Sequence, residues 1–160
     1  MTADSAAVLA GRMQEAVDFS LEHVRGGGIP FTALVLDAQG GILARGVNCV
    51  RRHHDPTAHA EVEAIRAACR AAGTPQLHGL TLLASGEPCA MCYLCARLAG
   101  IARVLYAADR DEAAAHGFDY RVGYRLLQGD PRNWRQPAAG KLCVPRRLLP
   151  FQAYRAGPAS

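Results

Sequence analysis

Two short motifs constrain this chain more than anything else in it: His59-Ala60-Glu61 and Pro88-Cys89-Ala90-Met91-Cys92. Each stands where a helix should begin, and an apolar, strand-like run at 80–84 (LTLLA) lies between them. One imidazole and two thiols form a zinc ligand set. Three protein ligands leave one corner of a tetrahedron open, as catalytic sites do and structural sites do not. Cys89 and Cys92 are three positions apart, so one helical turn aims both sulfurs the same way. Both stand near a helix N-terminus, where the partial positive charge favours thiolates. A fold for this chain must therefore bring two helix starts together across a strand.

The rest of the pattern agrees with that demand. Residues 5–25 read as an amphipathic helix, with Val8, Met13, Val17, Leu21 and Val24 at roughly helical spacing and Gly26-Gly27-Gly28 as its stop. FTALVL at 31–36 reads as a buried strand and ILARGVN at 42–48 as its hairpin return. Asp55-Pro56-Thr57 carries helix-start signals, and the helix runs to about Ala72 before Gly73. Another helix opens at Pro88 and stops before Gly100, and RVLYAA at 103–108 is a further strand. Beyond Ala108, DEAAAHG reads as a short helix, LCV at 142–144 as one more strand, and the end of the chain as helix. The order predicts one α/β domain over residues 1–160, a mixed sheet with helices packed on its faces.

A chain of 160 residues can bury a real core. It has no apolar run long enough to span a bilayer, and its N-terminus carries Asp4 where a signal peptide would carry positive charge. A cytoplasmic protein without a membrane partner is expected. In that reducing setting the cysteines should not pair as disulfides. Cys89, Cys92 and Cys95 form C-x-x-C-x-x-C, but an iron–sulfur cluster lacks its fourth ligand until Cys143, so Cys95 reads as a core thiol. The net charge of +4 is uneven. From Tyr120 onward, Arg121, Arg125, Arg132, Arg135, Lys141, Arg146, Arg147 and Arg155 face only Asp130. Without aromatic residues alternating among them, they read as a solvated surface or subunit contact rather than a nucleic-acid platform.

Other residues are candidates for the site. Asn48 ends the second strand facing the motif helix, where its amide can read a base edge or simply serve a turn. His53 and His54 read as surface histidines. Trp134 and Phe151 offer rings for stacking on a base or for core and interface packing.

H-x-E followed by P-C-x-x-C is the signature of zinc nucleobase deaminases, in which the Glu is not a ligand. On these motifs the chain resembles the cytidine-deaminase-like superfamily. Within it, the similarity is greatest to bacterial guanine deaminases, from about Ile29 to Arg155. The shared blocks are D-P-T-A-H-A-E-V-E-A-I-R at 55–66, E-P-C-A-M-C at 87–92, Y-A-A-D-R at 106–110, H-G-F-D at 116–119 and P-F-Q-A-Y-R at 150–155. The first two also occur in tRNA adenosine deaminases; G-F-D and P-F-Q-A are features of the guanine branch.

The resemblance implies a three-layer α-β-α sandwich around a central mixed five-stranded sheet, with one zinc ion per subunit on His59, Cys89 and Cys92. Glu61 would take a proton from the metal-bound water and deliver it to the ring nitrogen and then to the leaving amine. Asn48 would contact the purine, and the backbone around Ala60 and Cys89 would lie near the metal-bound oxygen. Asp119, Tyr120 and Phe151 join Asn48 and Ala60 as substrate-binding candidates. A homodimer is implied, with a C-terminal segment of about 140–160 swapped over the partner's site. Two positions depart from the family pattern: Tyr120 stands where G-F-D-D has a second acid, and Leu98 where the helix typically carries Trp. The expected reaction is guanine and water to xanthine and ammonia. The alternatives are deamination of another aminopurine, an aminopyrimidine or a nucleoside, then a tRNA adenosine deaminase, then a non-catalytic zinc-stabilised domain.

Overall fold

Every residue of Thr32–Leu36 (β1, after the helix α1, Ala3–Arg25) is buried, so this strand has helices on both sides. Ala33 and Val35 point one way, into a cluster with Ala60, Ala64, Ile65, Ala68 and Ala96. Leu34 and Leu36 point the other way, into a cluster with Ala16 that Leu9 and Met13 cover. The two-residue period of the strand thus divides the core into two layers. The computed structural model describes residues 3–129.

Ile42–Val47 (β2) returns antiparallel to β1. A four-residue helix, Val50–His53 (α2), leads to Ala60–Ala72 (α3). Thr81–Gly86 (β3) lies antiparallel to the other edge of β1, and Ala90–Leu98 (α4) crosses over to Arg103–Ala108 (β4), which is parallel to β3. The sheet order is β2-β1-β3-β4. Arg110–Ala115 (α5) and Val122–Leu126 (α6) follow, within a compact unit that ends at Leu127. Helix α1 covers one face of the sheet, and α3 and α4 pack on the other, so the expected three-layer mixed α/β architecture is present.

Among the described residues the sheet has four strands, one fewer than expected. LCV at 142–144, the terminal helix and the swapped segment lie outside the described residues. Three local readings change. The motif helix starts at Ala60, because Asp55 accepts from the Thr57 amide and hydroxyl at 2.7 Å each and closes a turn ahead of it. His53 ends a short helix, α2, and neither α2 nor α6 was foreseen. The short helix near 110 is present, and Asp109 and Glu112 close a capping box at its start.

One contact sets how α3 meets the sheet. A Cβ on Gly46 of β2 would lie 2.1 Å from the Ala60 carbonyl oxygen and 2.5 Å from the Ala64 nitrogen. Only glycine lets the first turns of α3 lie directly on β2. Among the described residues no helix is long and apolar enough to cross a membrane.

Candidate metal centre

His59 and Cys89 are the N-cap residues of α3 and α4, both in extended backbone, and Cys92 lies one turn into α4. The two helix starts meet at the ends of the central strands, as the motif spacing requires. His59 Nδ1 is 3.6 Å from Cys89 Sγ and 3.6 Å from Cys92 Sγ, and the two sulfurs are 3.5 Å apart. Tetrahedral zinc with bonds of about 2.3 Å to sulfur and about 2.0–2.1 Å to nitrogen puts its ligand atoms roughly 3.5–3.8 Å apart. The three donors therefore already sit on one face of such a tetrahedron. Their chemistry fits as well, two thiols and an imidazole being a borderline-soft set.

Charge is distributed unevenly over the donors. The hydrogen bond shared with Cys92 holds the Cys89 thiol down to about 4 against the cost of desolvation, and His59 helps. The same shared bond, together with burial, pushes the Cys92 thiol well above the usual range. His59 is raised by its hydrogen bond to Cys89, against desolvation.

Glu61 is 4% exposed, and its Oε2 lies 3.4 Å from Cys92 Sγ. Burial raises its carboxyl above the usual carboxylate range. The group is beside the donor triangle rather than part of it, since only His59, Cys89 and Cys92 form the ligand set there. A buried carboxyl whose charged form is disfavoured is suited to taking up and passing on a proton.

A cavity of about 660 Å³ opens onto these residues. His59, Glu61 and Cys89 line it, together with Asn48, Phe31 and Tyr120. Asn48 Oδ1 accepts from the Val50 amide at 3.3 Å, the turn role its position allowed, and the residue also lines the cavity. Tyr120 also lines the cavity, and its hydroxyl donates to the Glu87 carbonyl at 2.7 Å. Burial pushes its ionisation above the usual phenol range, so it stands there as a neutral donor. Ala60 is fully buried in the first turn of α3. Asp119 does not line the cavity; it is exposed and paired with Arg121 at 2.8 Å, which pulls it down to about 2. Leu98 is 71% exposed at the end of α4, away from the cavity lining. Phe151 and Trp134 lie outside the described residues.

Sequence reasoning missed the support of the Cys89 loop. Glu87 is 3% exposed and pairs with Arg110, whose backbone amide also donates to its Oε2 at 2.8 Å. The Arg110 guanidinium holds the carboxyl below the usual range and lies 3.7 Å over the Tyr124 ring. The Tyr124 hydroxyl donates to the Pro88 carbonyl. The loop that presents Cys89 is therefore tied, residue by residue, to groups that follow β4. The acid directly before Pro-Cys was the available signal.

Comparison with known proteins gives a consistent picture. Residues 9–108 match the family of the cytidine and deoxycytidylate deaminase zinc-binding region. The chain is similar to guanine deaminase of Bacillus subtilis (strain 168), 40% identical over 144 residues, covering 89% of this chain and 91% of that protein. The X-ray structure of guanine deaminase from Bacillus subtilis superimposes with a TM-score of 0.84 at 35% identity, covering all of this chain and 98% of that one. A tRNA-specific adenosine deaminase of Agrobacterium fabrum is 43% identical over 82 residues, which is 51% of this chain and 53% of that protein.

Proposed function

We infer the reaction from one premise: this chain belongs to the cytidine and deoxycytidylate deaminase family, whose zinc-binding region spans its residues 9–108. It is a zinc-dependent hydrolytic deaminase. The substrate we propose is guanine, which with water gives xanthine and ammonia. The observation that carries the chemistry is Glu61, a buried carboxyl 3.4 Å from a donor sulfur and outside the donor set. The similarity to guanine deaminase over 89% of the chain supports the substrate.

Zinc held by His59, Cys89 and Cys92 supplies Lewis acidity that brings a water's acidity toward neutral pH. The chain's own groups do the rest. Glu61 accepts a proton from the attacking water, whose oxygen bonds to the amino-bearing carbon, and passes that proton to the adjacent ring nitrogen, which takes the electron pair of the carbon–nitrogen double bond and leaves the carbon tetrahedral. The same carboxylate then moves the proton of the newly added hydroxyl to the amine, the carbon–nitrogen bond breaks as the carbonyl forms, and ammonia leaves. Burial disfavours the charged carboxylate, which helps Glu61 hold the proton between the two transfers. Asn48 donates to and accepts from the purine edge, and its bond to Val50 fixes the amide's direction. Phe31 and Tyr120 line the same cavity and offer rings against which a base can pack.

Tyr120 favours a second reading, because a neutral phenol in the cavity wall cannot replace the charge of a second acid. Under this reading the pocket takes another aminopurine, an aminopyrimidine or a nucleoside. Ammonia release from guanine, adenine, cytosine, their nucleosides and other amino-heterocycles separates the two. Guanine should be the best substrate; silence on guanine with turnover of another base would overturn the first reading and support the second. The same proposal includes one chain-length domain in a cytoplasmic homodimer that exchanges residues from about 140 to 160, supported by the resemblance of the P-F-Q-A-Y-R block. Light scattering on the eluting protein should give twice the chain mass, and a monomer would reject it.

A further inference from the structure

Helices α2 and α3 bring a second set of metal-binding side chains together, outside the reaction centre. Cys49, His53 and Glu63 each offer a donor atom, and these atoms all lie within 4.8 Å of one another. Cys49, 4% exposed, stands at the start of α2, and His53, exposed, at its end one helical turn later. The His53 amide donates to the Cys49 carbonyl at 2.8 Å, which fixes that turn. Glu63 comes from the first turn of α3, where its amide donates to the His59 carbonyl at 2.9 Å.

We propose that Cys49, His53 and Glu63 hold a second zinc ion. A thiolate, an imidazole and a carboxylate are all zinc donors, and the two anionic ones balance the charge of the ion. Positive charge is already drawn to this spot. Arg52 Nη2 donates to Cys49 Sγ at 2.9 Å, and Arg66 Nη1 donates to Glu63 Oε1 at 2.7 Å. Both guanidinium groups sit on exposed residues and can turn to solvent when a cation takes their place. The donors lie within 4.8 Å of one another, and any pair beyond the roughly 3.5–3.8 Å of tetrahedral ligation must close to it. The exposed His53 ring has the freedom to make that movement, and its exposure gives the ion a way in. An ion there would clip α2 to α3. Val50, Arg51 and Arg52 of α2 line the reaction cavity and α3 carries Glu61, so the clip would fix the cavity wall against the reacting carboxyl.

Zinc counting tests this without any assay of turnover. The full chain is saturated with zinc, passed through a desalting column and counted by mass spectrometry, alongside His53→Ala and Glu63→Gln. The wild type should hold two zinc ions per chain and each variant one. His53 is exposed, so His53→Ala should leave the fold intact, and the second equivalent should raise the wild-type melting temperature but not that of the variant. A wild-type count of one, or a count of two in either variant, overturns the second site. A count of one leaves the reaction centre standing, whereas a count of zero rejects both.

Discussion

At the reaction centre a carboxyl that belongs to no ligand set lies 3.4 Å from a sulfur that does. That placement was legible from the sequence, because both motifs are local: Cys89 and Cys92 share one helical turn, and Glu61 follows His59 by two positions. The residues that hold them were not legible. Glu87 and Arg110 are 23 positions apart, and only the pairing of β3 with β4 brings them together. Tyr120 looked like a lost acid, yet in the fold its hydroxyl supports the Glu87 carbonyl at 2.7 Å. Tyr120→Phe should therefore weaken zinc retention as well as turnover, read by chelator competition; an unchanged zinc affinity would restrict Tyr120 to the substrate side. The Cys92 thiol, pushed up by its neighbour and by burial, carries a proton at neutral pH in the metal-free protein. Zinc uptake should then release at least about one proton per chain, because a thiol must ionise to ligate. A pH-stat titration that records no release would contradict this view of the sulfur pair.

The elements show where local signals mislead. Asp55-Pro56-Thr57 carries good helix-start chemistry, but the Asp55 carboxylate spends it on a turn, and α3 begins at Ala60. A four-residue helix such as α2 has too few positions to show a period. The close approach of Gly46 to the Ala60 carbonyl has no signature in the hydrophobic pattern. Gly46→Ala must push the first turn of α3 off β2, at a cost of roughly 1–3 kcal/mol, as overpacking usually does. Denaturant unfolding should show that loss together with weaker zinc binding, because His59 caps the displaced turn. Wild-type zinc affinity in this variant would mean that the turn is positioned by something else. The Glu87–Arg110 pair gives a pH dependence with a fixed sign. Its carboxyl is lowered in the folded state, so the stabilisation is present above the ordinary carboxylate range and lost as pH falls through the depressed value. Glu87→Gln should be less stable at neutral pH and lose less stability than wild type on acidification. Equal slopes for the two proteins would reject the pair as a source of acid sensitivity.

Across the whole molecule, the layered α/β plan was readable because helices, hairpin and strands alternate in the order the sheet needs. The buried β1 run and the covering faces of α1 and α3 divide one core between two sides of the sheet. Four strands of the expected five lie among the described residues, and the strand anticipated at 142–144 falls outside them. The arrangement converges on one place, the junction of the α3 and α4 starts, where three donors and one carboxyl meet. Glu61→Gln tests that convergence most directly, with zinc content and ammonia release measured on the same sample. Glutamine keeps the shape but cannot move the proton. Zinc at the His59–Cys89–Cys92 site should stay at wild-type level while turnover falls by about 10²–10⁴ or more. Wild-type turnover by the zinc-loaded variant would contradict the proposed proton transfer.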